Sequence, residues 1–331
     1  MSSERVRPSR RRTRRQVIVW TSVAVVISVS ASVLPYLEIR GVAAIPVAQA
    51  LVPLGVLLLL LLAIASLIFR VWAATLVFVL GAMISGAPAL TPVHVGEACE
   101  TDAQVTVLSF NAKLAGADPV ALAGPIRTTE PDAVMLLEAD ETLIDAVLTE
   151  DELAEALPYR TREVTPGPAN GSVILSAYAL SQEENIPGSE FDQVSAVATL
   201  PGAGTVRLGA VHPPPPVWQP NGWLSGLDDI TTWVHQTGND RLIVAGDFNA
   251  SFAHPVLRRL ASGLRSAAEA AGPIPWPTWP EEKPIPAFTA IDHIFARGAT
   301  PTAWNSFHVE GSDHRAVLAT WNLCAKTQPA T

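Results

Sequence analysis

The chain has 331 residues, 49% of them hydrophobic and only 16% charged, with a formal net charge of −9. That is apolar for a soluble protein, and the excess lies before residue 91. From residue 99 onward 13 basic residues stand against 28 acidic ones, which argues against a general nucleic-acid binder, since neutralising phosphates takes a basic face.

Residues 1–15 hold seven arginines, at 5, 7, 10, 11, 12, 14 and 15, and one acid, Glu4. Three runs without formal charge follow: Val17–Leu37, Gly41–Phe69 with six consecutive leucines at 57–62, and Val71–Leu90. A membrane helix takes about 20 such residues, so three spans are predicted. A cleaved signal peptide would have one short apolar region and then stop. The arginines place the N-terminus in the cytoplasm and everything after about residue 92 outside. Arg70 falls on the inner side, as that rule asks, whereas Arg40, with Glu38, falls in the outer loop and runs against it. The chain thus divides into a basic cytoplasmic tail at 1–15, a membrane anchor at 16–92 and an outer domain at 99–325. Cys99 and Cys324 bracket that domain, and an oxidising exterior invites a bridge between them.

Within the outer domain, VTVLSFN (105–111) alternates and closes on Asn111. A proline-punctuated helical stretch, Pro119–Glu130, leads to a buried strand, Ala133–Leu137, that ends in Glu138. Further strands are predicted at Ser172–Leu175, Ser195–Leu200, Val206–Val211, Leu242–Ala245, Ile291–Ala296 and Ala316–Trp321. Short strands with helices between them read as a layered α/β domain, and no internal repeat is visible. The segment 213–223, PPPPVWQPNGW, and the proline-rich 272–287 read as stiff loops rimming a site. They carry Trp218, Trp223, Trp276 and Trp279. Packing is the default role of such residues, and lipid contact is the alternative beside a membrane.

In AGDFNAS (245–251), Gly246 permits a sharp turn or close approach. Asp247 and Asn249 then sit two apart at the strand's end, where alternate residues share a face. They suit a hydrated metal beside a phosphate, or simply an Asx turn. His212 closes LGAVH, Asp292 sits in AIDHIF, and Asp313 and His314 lie in GSDHRAV. Polar residues of phosphate- and cation-binding types thus recur at strand ends, where sites gather in layered sheets. His293 should point away from its neighbour Asp292. His94, His235, His254 and His308 have no motif context, and Lys113 and Arg315 read as solvated surface, with contact to a substrate phosphate as the alternative.

The GDFNA and SDH segments, in order with SFN, LLE and IDHIF, resemble the endonuclease/exonuclease/phosphatase superfamily, the DNase I-like group. NGSVILS (170–176) and Thr278-Trp279 add weaker landmarks. The resemblance implies a four-layer α/β sandwich after the three spans, with first and last strands paired antiparallel, which suits a Cys99–Cys324 bridge. It implies attack of water on a phosphate ester with Mg²⁺ or Mn²⁺. Glu138 matches the principal metal carboxylate, with Asn111 beside it and Asp313 as a further candidate. Asp247 would activate water, Asn249 would hold a phosphate oxygen, and His314, oriented by Asp292, would donate to developing charge. His212 matches a second phosphate-facing histidine without an identifiable carboxylate partner. Three spans before such a domain also resemble the VanJ-type proteins of actinobacteria, which points to a lipid-linked phosphate, of the polyprenyl pyrophosphate kind, or a small phosphate ester as substrate and the membrane as partner. A surface nuclease or phosphodiesterase is the alternative, and a silent binding module the third.

Overall fold

The computed structural model describes residues 14–93, 98–99, 103–167, 169–188, 190–238, 241–281, 284 and 286–325. The arginines at 5, 7, 10, 11 and 12, and His94, lie outside the described residues.

The apolar runs form α1 (Arg14–Val33), α2 (Ala44–Ala50), α3 (Val52–Ile68) and α4 (Trp72–Gly86). Two stretches, Arg14–Tyr36 and Trp72–Ala89, are long and apolar enough to cross a membrane. The expected second span is not one straight helix, because α2 and α3 meet at 61°. Pro53, in the first turn of α3, has no N–H to continue the ladder of α2. The bent pair makes a third span only if it crosses as a broken one. Helices α1 and α4 cross closely at Ser28 and Gly81, where a Cβ on Gly81 would sit 2.6 Å from that of Ser28.

The segment between α1 and α2 folds back onto the domain that follows the helices. Arg40 pairs with Asp228 at 3.0 Å, Glu38 with Arg259 at 3.1 Å, and Arg259 with Asp228 at 2.9 Å. Arg40, which runs against the charge rule, is therefore neutralised by the domain it touches. Such exposed pairs each contribute up to about 1 kcal/mol, so they fix orientation more than stability.

The α/β domain holds β1 (Gln104–Asn111), α5 (Pro119–Thr129), β2 (Ala133–Leu137), α6 (Glu141–Thr149), α7 (Leu153–Ala156), β3 (Tyr159–Arg160), β4 (Ser172–Ser176), β5 (Leu180–Asn185), β6 (Val194–Leu200) and β7 (Gly204–Val211). After these come α8 (Pro220–Gln236), β8 (Leu242–Asp247), α9 (Pro255–Leu260), β9 (Arg265–Ser266), β10 (Asp292–Arg297), β11 (Ala299–Phe307) and β12 (Ala316–Leu323). One sheet runs β11-β12-β1-β2-β4-β3 and the other β5-β6-β7-β8-β10-β9. The repeat that the residues hide is visible in the pairing. In the first sheet β1 is antiparallel to β12 and parallel to β2, which is antiparallel to β4. In the second, β7 is antiparallel to β6 and parallel to β8, which is antiparallel to β10.

Strand β2 shows why its sequence is apolar throughout. Met135 and Leu137 face the second sheet's Leu208, Ile243 and Ile294, while Val134 and Leu136 pack under Ile126 of α5 and Ile144 and Val147 of α6. Helices α8 and α9 cover the other sheet through Leu227, Ile230 and Leu257, against Val244 and Phe295. The result is helix, sheet, sheet, helix, a mixed α/β sandwich. Two expectations need correcting. Residues 220–223 are not loop but the first turn of α8, because proline at a helix start loses no hydrogen bond. Trp223 is accordingly helical and buried.

The β1–β12 register, Gln104 opposite Asn322, brings the domain's ends together, and Cys99 and Cys324 are disulfide-bonded at a Cα separation of 4.6 Å. The bridge closes 225 residues, which in the chain-entropy account stabilises by up to about 5 kcal/mol. Thiol labelling of unreduced, denatured protein should find no free cysteine, and reduction should lower the melting temperature; two labelled thiols would refute the bridge.

Candidate active site

The repeat explains where polar side chains collect. Both parallel pairs, β1–β2 and β7–β8, deliver their C-terminal ends to one edge of the sandwich, together with the start of β10. Asn111 ends β1, Glu138 follows β2, His212 follows β7, Asp247 ends β8 and Asp292 starts β10. Gly246 lets β8 close on β7, since a Cβ there would lie 1.9 Å from the Val211 carbonyl oxygen.

Asn111 is the bridge between the halves. Its Nδ2 donates to Glu138 Oε1 and to Asp247 Oδ2, each at 3.0 Å. Its Oδ1 accepts from Lys113 N at 2.9 Å, so the amide presents nitrogen, not oxygen, to the carboxylates. Lys113, Leu114 and Ala115 are consecutive left-handed residues, with φ of 51°, 55° and 58°. That turn costs of order 1–2 kcal/mol per residue and aims Leu114 N at Glu138 Oε2, 2.9 Å away. Burial raises the Glu138 carboxyl, the two hydrogen bonds lower it, and Asp313 adds a smaller raising effect. Asp313, half-buried, is thus near enough to be felt.

Asp247 is buried and its Oδ2 lies 3.6 Å from His314 Nε2 and 3.7 Å from His212 Nε2. Burial pushes its carboxyl up to about 6, against the pull of His314. Burial alone would push His314 down, but Asp292 and Asp247 outweigh it and hold the imidazole up to about 10. Both Asp292 oxygens lie 3.1 Å from His314 Nδ1. Asp247, Asp292 and His314 offer ligand-type atoms all within 4.8 Å of one another. His212 Nε2 is 3.4 Å from Glu138 Oε1, and among the described residues its buried Nδ1 has no close hydrogen-bond partner, although the Ala169 backbone is near enough to favour the charged ring. Burial pushes that imidazole down.

Asn249 does not continue the strand face. It has φ 50°, and its N–H donates to Asp247 Oδ1 at 2.8 Å, which is an Asx turn. The Asx-turn reading of AGDFNAS holds, and the turn is what brings Asn249 beside Asp247. Asn249 Nδ2 donates to the Pro213 carbonyl at 3.1 Å.

Further residues support the site from behind. The Thr278 hydroxyl accepts from Ile291 N and Asp292 N, giving the Thr-Trp landmark a purpose. Ser312 donates to the Asn111 carbonyl and accepts from His314 N. Trp223 Nε1 donates to the Asn249 carbonyl at 3.1 Å. His293 does turn away, into Phe248, Phe252 and Phe295, with Nε2 at the Ala250 carbonyl. His254 is buried against α2, its Nε2 2.9 Å from the Pro46 carbonyl oxygen. Arg315 is taken up by Glu281 at 2.6 Å.

Among solved structures, D. rerio TDP2 complexed with single strand DNA product is similar at 18% identity and TM-score 0.55, over 67% of this chain and 100% of that one. An endonuclease/exonuclease/phosphatase from Beutenbergia cavernae is 20% identical at TM-score 0.51, over 67% of this chain and 72% of that one. The human Nocturnin catalytic domain with bound sulfate is 18% identical at TM-score 0.51, over 66% and 94%. These likenesses share the fold. No curated protein sequence matches the chain. The match to the Endonuclease/Exonuclease/phosphatase family runs over residues 47–314, and the chain belongs to that family of phosphoester hydrolases.

Proposed function

We propose that the chain is a membrane-anchored, metal-dependent phosphohydrolase with an extracytoplasmic active site, acting on a lipid-linked phosphate or pyrophosphate. The observation that carries this is one closed carboxylate–histidine cluster in a domain whose preceding helices are apolar enough to cross a membrane.

The family typically uses divalent metal ions. The donor chemistry here fits one: Glu138 and Asp247 are brought together on a shared amide, with Asp313 near, and their ion pairs are with histidines. Hard carboxylate oxygens of this kind suit Mg²⁺ or Mn²⁺. Glu138 would hold the ion, with Asp313 as a further candidate, whereas Asn111 would have to turn its amide round to offer Oδ1, which now accepts from Lys113 N; the ion would neutralise phosphate charge. The Asp247–Asp292–His314 trio is the less suitable set, because a histidine held protonated between two carboxylates is itself the cation there.

The chain's own residues supply the proton chemistry. Asp247, raised to about 6, stays largely ionised at neutral pH and takes a proton from the attacking water. His314 keeps its proton and donates through Nε2 to a non-bridging oxygen as charge develops. Asn249 Nδ2 has a second hydrogen, beyond the one given to Pro213, for another phosphate oxygen. His212 is held neutral by burial and presents Nε2 to the same space.

The D. rerio structure with a DNA product favours a nuclease or phosphodiesterase as second reading, against which the 28 acidic residues weigh. Detergent-purified protein with Mg²⁺ should release phosphate from polyprenyl pyrophosphate, be stopped by chelator, and leave plasmid DNA intact. Cleavage of DNA alone would replace the lipid reading by the nuclease one. Alkaline phosphatase fused after residue 100 should be active; a silent fusion there, with a working cytoplasmic reporter, would reverse the proposed sidedness.

A further inference from the structure

Two exposed loops flank the active site, and each joins a catalytic residue to a place where the chain leaves an apolar helix. The geometry of the helices sets the frame. Ser28 and Ser32 lie in the C-terminal half of α1 and Gly81 in that of α4, and these halves touch, with Ser32 Oγ 3.5 Å from the Gly81 carbonyl oxygen. Both helices therefore end on the same side.

From the end of α1, residues 34–50 dock on the domain through Glu38, Arg40 and the Pro35 and Pro46 carbonyls. Gly41 lies against Asn221, in the first turn of α8. Just before α8 stand Val217 and Trp218, the latter 75% exposed, on a turn whose Trp218 and Gln219 N–H groups both donate to the Pro215 carbonyl. The other end of this loop is Pro213, which holds Asn249.

From the end of α4, exposed Leu90 and Val93 flank Thr91, whose N–H donates to the Pro273 carbonyl at 2.9 Å. Ile274 and Trp276 follow, 72% and 55% exposed. This second loop ends at Thr278, which holds the Asp292 backbone. Behind it opens a groove of about 960 Å³, with Trp276, Pro277, Pro280 and Trp304 on its apolar wall and the paired Glu281 and Arg315, the residue after His314, on its polar side.

We propose that loops 213–219 and 273–280 are paired lips that enter the interface of the membrane crossed by α1 and α4, so that the site opens onto the lipid surface and the groove takes the hydrocarbon chain of a substrate whose phosphate lies at Asp247 and His314. Exposed tryptophans with apolar neighbours prefer the headgroup level, where ring and N–H are both satisfied. Ile274 and Trp276 are not scattered singly, because the Thr91–Pro273 hydrogen bond brings exposed Leu90 and Val93 alongside them. The contact of each loop with the segment that follows an apolar helix is what selects the membrane over a protein partner. The substrate part of this inference rests on the lipid reading above; the insertion part does not.

Both parts are read on the full chain in phosphatidylcholine vesicles. With acyl chains brominated near the carbonyl end, tryptophan emission of wild type should be quenched, and W218F/W276F should lose a measurable share of that quenching. Equal quenching in the two proteins would overturn the lips. For turnover, W218A and W276A should each lower kcat/KM on a vesicle-borne long-chain isoprenyl pyrophosphate by roughly 10- to 100-fold, the worth of burying one large apolar side chain, mostly through KM. Hydrolysis of soluble bis(p-nitrophenyl) phosphate should stay near wild type, which also shows that the variants fold. An equal loss on both substrates, or none on either, would make the loops structural. Quenching as expected with no lipid hydrolysis by wild type would leave the lips standing and remove the lipid-phosphate reading instead.

Discussion

Asp247→Asn is expected to lower turnover by roughly 10²–10⁴-fold, the usual worth of a positioned general base, with little change in melting temperature. The substitution separates the two roles of AGDFNAS. Asn also makes Asx turns, so the bond from Asn249 N to Oδ1 survives. What disappears is the charge opposite His314 Nε2 and the basic oxygen at Oδ2, which also accepts from Asn111, whose amide keeps its bond to Glu138. Stability should move little for a reason visible in the direction of its shift. Burial raises the Asp247 carboxyl to about 6, so at neutral pH folding works against its ionised form. Removing the charge relieves that cost while it forfeits the attraction of His314, and the two oppose. Turnover is read with Mg²⁺ on any phosphodiester that wild type hydrolyses, and melting by calorimetry in the same buffer. Near-wild-type turnover would mean that GDFN is a turn and nothing more, and the proposed chemistry would fall.

The sandwich was legible because its central strands are buried on both faces. In VMLLE and LIVAGD nothing but the last residue is charged, so the strand and its functional end announce themselves together. Edge strands carry no such signal. Strand β5, LSQEEN, is largely exposed, and β11 is polar and bulged between Pro301 and Ala303. The side chains of the site were legible for the same reason as the strands, whereas its supports were not. Leu114 acts through a backbone N–H delivered by a left-handed turn of ordinary residues, and no side chain marks that. Trp223 was assigned to a loop because four prolines precede it, yet Pro220 opens a helix that buries its ring and aims Nε1 at Asn249. The break at 61° between α2 and α3 hides in a run whose hydropathy is continuous, where only Pro46 and Pro53 hint at it.

Asp292→Asn should cost about as much in turnover as losing the base, up to roughly 10⁴-fold by comparison with other carboxylates behind catalytic histidines, and it should move a limb of the pH profile. In wild type the rate should rise as Asp247 ionises around pH 6 and fall as His314 deprotonates around pH 10. These are apparent values of a coupled set. His314 owes its elevation first to Asp292, whose two oxygens face Nδ1 at 3.1 Å, and then to Asp247. An asparagine still accepts from Nδ1–H through its amide oxygen, so the ring keeps its place, but the charge is gone. The imidazole then titrates lower, because burial pushes it down and one of the two opposing carboxylates is missing. The descending limb must therefore shift to lower pH while the ascending limb stays closer to its position. Stability carries the same sign. A histidine raised above its unfolded value contributes fully below about pH 6.5 and loses that contribution as pH climbs through about 10. The excess stability of wild type over Asp292→Asn should thus be largest at and below neutral pH and shrink on the alkaline side. An alkaline limb that stays near pH 10 in the variant would show that Asp292 does not hold the proton on His314.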